Sequence, residues 1–304
     1  MLRITQHRAK FFVLSGVLMA LSLAAWLFWG LKPGIDFTGG SLIEVDFSKT
    51  RPEPSALVEA AKASLGNPGE ITAQPLGEKG MVVRMPPIEE GAHQKLLADL
   101  KKDYDVDGNT LEEKQFQSVG PLIGAELRKK TVYAVVGALL AIVLFITYAF
   151  RKVSYPIASW KYGVCTIVAL CHDVLIPVGI FSALGHFKDV EVGAWIVTAL
   201  LTVLGFSVHD TIVVFDRIRE NLSHAGRTSF EDVVNRSMNE TLGRSINTSL
   251  TVMLVLLTTY FLGGPTIRDF ILTMIIGIAI GTYSSIFVAS PLLVSWHLKD
   301  SRKG

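Results

Sequence analysis

The chain has 304 residues, 50% of them apolar, and its 29 Lys and Arg against 27 Asp and Glu leave a formal charge of +2. That balance gives no reason to invoke a nucleic-acid partner, and the two cysteines, Cys165 and Cys171, both fall in one apolar stretch, so the charged part of the chain carries no disulfide framework. A mean hydropathy of +0.41 is made by clustering: six runs of about 18 apolar residues or more, nearly free of charge, have the length a membrane-spanning helix needs.

The first run, Phe11 to Leu31, follows basic residues as a signal peptide would. It exceeds the usual apolar region of such a peptide and no A-x-A-like cleavage site follows, so an uncleaved anchor is expected. Residues 32 to 128 then change character, with charges and Pro and Gly turns. Gly40 to Phe47 alternates and reads as a strand. Ala56, Leu57, Ala60, Ala61 and Leu65 recur at helical spacing after Pro52 and Pro54 and before Gly66. Glu70 to Leu76 and Met81 to Met85 read as two strands around a turn at Gly77 to Gly80. Glu90 to Tyr104 reads as an amphipathic helix, with Leu96, Leu97 and Leu100 on one face, and Leu111 to Val119 alternates again. The order βαββαβ is that of a ferredoxin-like α+β unit. His93 is its only histidine, and the pairs Glu89, Glu90 and Glu112, Glu113 read as a solvated face, so no enzymatic or metal site is expected there.

The remaining runs are Thr131 to Phe150, Tyr162 to Gly185, Gly193 to Phe215, Ser245 to Leu262 and Phe270 to Trp296. The expected fold is therefore a polytopic α-helical membrane protein. Residues 1–31 form the N-terminus and first span, 32–128 the extracytoplasmic domain, and 129–304 spans two to six with a cytoplasmic loop at 217–244. In that loop Ser229 to Asp232 resembles a capping box, and Phe230, Val233, Val234 and Leu242 predict a short helix lying on the inner surface. Both cysteines read as small buried residues.

Lys and Arg accumulate in cytoplasmic segments near helix ends. Arg3, Arg8, Lys10, Arg151, Lys152, Lys161, Arg217, Arg219, Arg227, Arg236, Arg244, Lys299, Arg302 and Lys303 share one side, against Lys188 and Arg268 in the short connections opposite. Both termini are expected inside and the soluble domain outside.

Ionisable residues at membrane depth carry the chemistry. An Asp at a helix centre costs about 2.5–3.5 kcal/mol on insertion scales, and such residues usually face the bundle interior and mark an ion path. Asp173, preceded by His172, lies mid-way in span three, four residues before Pro177; Asp210, preceded by His209, lies in the inner half of span four. Thr198, Thr202, Asp210, Val213 and Arg217 fall along one face. The facing candidate is a stripe at the start of span five, Arg244, Asn247, Thr248, Thr251 and Thr258. An Asp210 to Arg244 pair is expected at similar depth, serving either as a proton-linked switch or as a static fastening. Asp173 and His209 are further candidates, and both histidines are expected in the interior. No H-E-x-x-H pattern accompanies the two His-Asp dipeptides, and neighbouring helical residues diverge by about 100°, so neither metal nor cofactor is expected. Gly277 and Gly281, followed by Ser284 and Ser285, give the small-x-x-x-small spacing that lets helices approach closely.

Taken together these residues resemble the SecD/SecF family, in its SecF branch. The resemblance is carried by Gly34-Ile35-Asp36-Phe37-Thr38-Gly39-Gly40 after the first span and by Val119-Gly120-Pro121 with Gly124, Glu126 and Leu127 before the second. Gly205 to Asn221 in the fourth span and Arg244 to Thr251 in the fifth complete it, over essentially the whole chain. It implies an accessory subunit of the Sec translocase, related to proton-driven RND transporters, that pairs with SecD beside the SecYEG channel in the bacterial cytoplasmic membrane, with YajC and YidC as further partners. Such a subunit uses the H+ or Na+ gradient to assist export of unfolded polypeptide and has no hydrolytic site. Asp210 and Arg244 carry over as its part of the ion path, and Gly39 and Gly40 as the place where the external domain hinges on span one. Many relatives have Asn where this chain has His209. An RND-type small-molecule exporter and a passive translocon scaffold are the alternatives from other classes.

Overall fold

A computed structural model describes residues 2–106, 108–151 and 157–301; Lys152, Arg302 and Lys303 of the charge pattern lie outside them. The chain divides into two compact units, residues 33–132 and the remainder.

In residues 33–132 the elements are a helical turn α2 (Ile35–Thr38), β1 (Gly40–Phe47), α3 (Pro54–Leu65), β2 (Thr72–Leu76), β3 (Gly80–Met85), α4 (Glu90–Tyr104) and β4 (Leu111–Val119). The sheet is antiparallel throughout, in the order β2-β3-β1-β4. Alternation sends Ile43, Val45, Phe47, Met81 and Val83 to one face, where they are buried with Leu57 and Ala61 of α3 and Leu96 and Leu100 of α4. A register shift at Glu44/Val45 interrupts the β1–β4 ladder. Pro54 opens α3 at its first turn, where the missing N–H costs nothing, and Gly66 closes it in the left-handed conformation.

The glycine pair before β1 has a steric cause. Gly39 has φ +75 and ψ 161, a region that is essentially glycine-only. A Cβ there would lie 2.9 Å from Pro121 Cα, and one on Gly124 would lie 2.9 Å from Gly39 N. Gly40, at φ +139, is crowded by the Met85 carbonyl. The motif glycines thus let the turn before β1 lie against the residues following β4.

The other unit holds α1 (Arg8–Trp29), α5 (Pro121–Ala149, which begins in the first unit), α6 (Ser159–Lys188), α7 (Ala194–Ser223), α8 (Phe230–Leu262), and α9 (Arg268–Ser284) with α10 (Ser290–Ser301). A π-helical turn at Ser285–Ala289 joins the last two. Among the described residues six helices are long and apolar enough to cross a membrane. Part of their core packs around Phe150, Tyr162 and Phe215, with Phe150 stacked on Tyr162 at 5.3 Å and Phe215 edge-on to Tyr162 at 5.1 Å. Close helix approach depends on small residues. A Cβ on Gly179 of α6 would collide with Ser22 of α1, one on Gly277 of α9 with Val203 of α7, and one on Gly281 would lie 3.0 Å from Ser207 Cβ.

Three expectations are corrected. Phe230 to Leu242 is no separate surface helix: it is the first part of α8, continuous with span five, and the loop shrinks to residues 224–229. Ser229 does cap it, accepting from Asp232 N at 3.1 Å, while Phe230, Val233 and Val234 are buried in the bundle core instead of on a membrane surface. Cys165 is buried, but Cys171 is exposed: six residues apart on α6, the two lie on different faces of the helix. Glu113 is no solvated carboxylate: it meets His93 Nε2 at 2.9 Å.

Gly277→Leu is expected to cost about 1–3 kcal/mol or more through overpacking, read as a lowered midpoint of thermal unfolding of the full chain in detergent. Gly137→Leu on α5, where a Cβ meets nothing within 4 Å, should leave the midpoint in place. Gly39→Ala should lose about 1–3 kcal/mol from backbone strain alone, whereas Gly91→Ala, on open α4 surface, should be neutral or slightly stabilising.

Candidate functional site

Among the described residues of the helical unit two carboxyl groups are buried, and each is held by hydroxyls from neighbouring helices. Asp210 on α7 is 8% exposed. Its Oδ1 accepts from Ser245 Oγ of α8 at 2.5 Å, and its Oδ2 accepts from Ser285 Oγ at the start of the π-helical turn. Asp173 on α6 is fully buried and is bound by Ser207 Oγ of α7 at 2.5 Å and Ser284 Oγ of α9 at 2.7 Å. A carboxyl placed away from water needs such donors, since each unmade hydrogen bond of a buried polar group costs about 1–3 kcal/mol.

Local spacing explains the assembly. Ser207 and Asp210 are three residues apart and share a face of α7. Ser237, Thr241, Ser245 and Ser249 recur every four residues and form the buried stripe of α8; Ser249 Oγ lies 2.5 Å from Thr282 Oγ1 of α9. Ser284 and Ser285 are adjacent, yet one serves Asp173 and the other Asp210.

This arrangement excludes the expected Asp210–Arg244 ion pair. Ser245 faces Asp210, and its neighbour Arg244 points about 100° away around the helix. Arg244 is exposed and lines a cavity of about 310 Å³ with Val213, Asp216, Arg217, Glu220, Glu240 and Thr241. Around that cavity Arg217 binds Glu240 at 2.6 Å and Glu220 at 2.7 Å, Arg236 binds Glu240 at 2.8 Å, and Arg219 pairs with Asp216. The expected polar stripe of α8 is the other face of the helix: Asn247, Thr248, Thr251 and Thr258 are exposed with Arg244. The three threonine hydroxyls return to the carbonyls of Arg244, Asn247 and Leu254. On α7, Thr198 and Thr202 are exposed too, so the expected face divides, with only Asp210 turned inward. His209 is exposed, contrary to the expected interior position; His172 is fully buried. Gly277 and Gly281 lie against α7 and bring Ser284 within reach of Asp173. Among the described residues no group of three His, Cys, Asp or Glu is arranged to hold a metal ion.

The four serines that bind the carboxyls were not singled out as ligands by the sequence. Their signal was present in Ser207, one turn before Asp210, and in Ser284 and Ser285 after the glycine pair. In the other unit, His93 is buried, stacked on Phe116 at 3.7 Å, with Nδ1 3.2 Å from Glu90 and Nε2 2.9 Å from Glu113. Hydrogen bonds from Gln94 and from His93 hold the Glu90 carboxyl below its usual range.

Residues 99–299 match the family described as protein export membrane protein SecD/SecF, C-terminal, and residues 26–50 match the SecD/SecF GG motif. A protein translocase subunit SecF of Thermobaculum terrenum is 47% identical, covering 99% of this chain and 95% of the relative. One from Anaerolinea thermophila is 41% identical, covering 99% and 96%. The crystal structure of SecDF from Thermus thermophilus superposes with a TM-score of 0.78 at 35% identity; the match covers 96% of this chain and only 38% of that longer one. The chain is a multi-pass membrane protein that belongs to the SecD/SecF protein-export family.

Proposed function

We propose that this chain is a SecF-type accessory subunit of the Sec protein translocase, which with a SecD partner couples an H+ or Na+ gradient to late steps of polypeptide export. The observation that carries this reading is the uncovered polar stripe of α8. Arg244, Asn247, Thr248 and Thr251 stand exposed along a helix of spanning length, and His209 and Thr202 of α7, the helix that bears Asp210, are exposed as well. Lipid would leave such a face unsatisfied, and charged side chains at membrane depth face a protein interior or a water-filled path. A second membrane subunit laid over the stripe meets that need. The SecDF relative of Thermus thermophilus, 36% identical over 96% of this chain and 38% of its own length, supports SecD in that place. SecYEG, YajC and YidC are partners by family resemblance.

In this reading Asp210 is the ion-binding carboxyl. It sits one residue from the exposed face, held by two hydroxyls that release or rotate at little cost when its charge changes. Arg244 acts from the partner-facing side, through the cavity it lines, and not as a direct ion pair with Asp210; His209 faces the same boundary. The excess of Lys and Arg supports an orientation with both termini inside the cell and residues 33–132 outside. Their order βαββαβ with strands arranged β2-β3-β1-β4 supports a ferredoxin-like unit there. α1 and α5 run into it in chain continuity, a route for carrying helix movements outward. A small-molecule exporter of the RND kind is disfavoured because the outer part is one small unit without paired porter domains.

The test is preprotein translocation into inverted membrane vesicles carrying the chain with its partner, with and without an imposed ion gradient. Asp210→Asn should remove the gradient-driven part, with a loss of about tenfold or more, and leave ATP-driven translocation in place. Equal gradient responses in native and variant vesicles would overturn the ion-coupling role and make the chain a passive scaffold.

A further inference from the structure

The second carboxyl group has a feature the first lacks. Asp173 Oδ1 lies 2.9 Å from His172 Nδ1, while its Oδ2 takes the hydroxyls of Ser207 and Ser284. His172 is fully buried, and its Nε2 has no hydrogen-bond partner. The ring of Tyr283 stands 6.0 Å away, centroid to centroid; its hydroxyl lies 3.1 Å from Ser15 Oγ and donates to the Phe11 carbonyl at 3.2 Å. An unsatisfied polar atom this deep is rare in a folded protein and marks a functional group or a bound water.

The charge balance points the same way. Among the described residues Asp173 is bonded by Ser207 from α7, with Asp210 one turn beyond it, and by Ser284 from α9; Tyr283 of α9 lies against the His172 ring, and Ser15 of α1 lies against the Tyr283 hydroxyl. No Lys or Arg is among them. A carboxylate beside a neutral imidazole would carry a net charge of −1 with no cation to offset it, which is costly away from water. One added proton makes the pair neutral, whether it rests on Asp173 Oδ1 or completes the imidazolium of His172.

We infer that Asp173 and His172 form a proton-binding dyad separate from Asp210, with His172 Nε2 as its point of exchange. The proton enters at Nε2, and Nδ1 passes its own proton to Asp173 Oδ1; loss of the proton reverses both transfers, so proton number and charge balance at each step. The dyad and Asp210 are linked by a single peptide unit, since Ser284 serves the one and Ser285 the other. That link lies at the start of a π-helical turn, where Ser290 Oγ donates to the Ser285 carbonyl at 3.2 Å. π-Turns inside helices recur at functional sites because they permit alternative registers. Proton binding at the dyad does not depend on the translocase reading.

Infrared difference spectroscopy of the full chain reconstituted in lipid, titrated between about pH 4 and pH 10, tests this. Asp173→Asn should remove one carboxylic-acid carbonyl band that Asp210→Asn leaves in place. His172→Phe and Ser284→Ala, each deleting one hydrogen bond to Asp173 while keeping the carboxyl, should retain that band and shift its frequency. A spectrum that Asp173→Asn leaves unchanged overturns the dyad. So does a band that neither His172→Phe nor Ser284→Ala moves, a reading available even where Asp173→Asn does not fold.

Discussion

Two carboxyl groups inside a membrane bundle set the terms for everything around them. Each has to be supplied with donors, and because the backbone N–H groups of its own helix are already committed, the hydroxyl donors come from neighbouring helices, with His172 beside Asp173 the one donor from the same helix. Ser207 and Ser284 meet Asp173; Ser245 and Ser285 meet Asp210. A serine reaches only a short way from its helix axis, so these contacts require α6, α7, α8 and α9 to approach closely. The small residues that permit this belong to the same requirement: Gly277 and Gly281 against Val203 and Ser207, and Gly179 against Ser22. The polar chemistry and the glycine packing are one constraint read from two sides.

That dependence also bears on how the bundle could change state. Hydrogen bonds from hydroxyls are readily remade, and a hydroxyl can donate to a carboxylate or accept from a protonated acid. A guanidinium in the same place would fix the carboxyl as an anion and resist its neutralisation. The placement of Ser245 in front of Asp210, with Arg244 turned away, therefore leaves the Asp210 carboxyl without a cation that would fix its charge. The π-helical turn beside Ser285 supplies local slack in a helix that otherwise runs from Arg268 to Ser301.

Much of the fold was legible because the signals were long. Six apolar runs give six helices, and alternation with Pro and Gly punctuation gives all four strands and both helices of residues 33–132 with small errors at their ends. The place of Asp173 and Asp210 within apolar helices of spanning length was legible for the same reason. The facing of α8 was not. Its polar residues occupy two stripes, Arg244 with Asn247, Thr248 and Thr251, and Ser237 with Thr241, Ser245 and Ser249; a charge made the first stripe look like the interior one. Period alone cannot choose which of two polar faces of one helix turns inward. The separate inner helix failed similarly, because an amphipathic pattern at Phe230 to Leu242 fits a membrane surface and a bundle edge equally well.

The exposed stripe then acquires a meaning that the buried one does not have. In a soluble protein, exposed Thr and Asn on a helix are ordinary, but along a spanning helix they face hydrocarbon unless something covers them. Thr248, Thr251 and Thr258 soften the problem by bonding their own backbone carbonyls, and Arg244 can extend toward the cavity it shares with Glu220 and Glu240. Asn247 has no such hydrogen bond from its side chain among the described contacts, and His209 stands exposed on the neighbouring helix. The residues that the chain cannot satisfy by itself thus collect on one boundary, beside the carboxyl at Asp210. In the proposed reading, a partner laid there would complete both the membrane seal and the surroundings of that carboxyl, so that subunit pairing and ion binding would be parts of one structural problem.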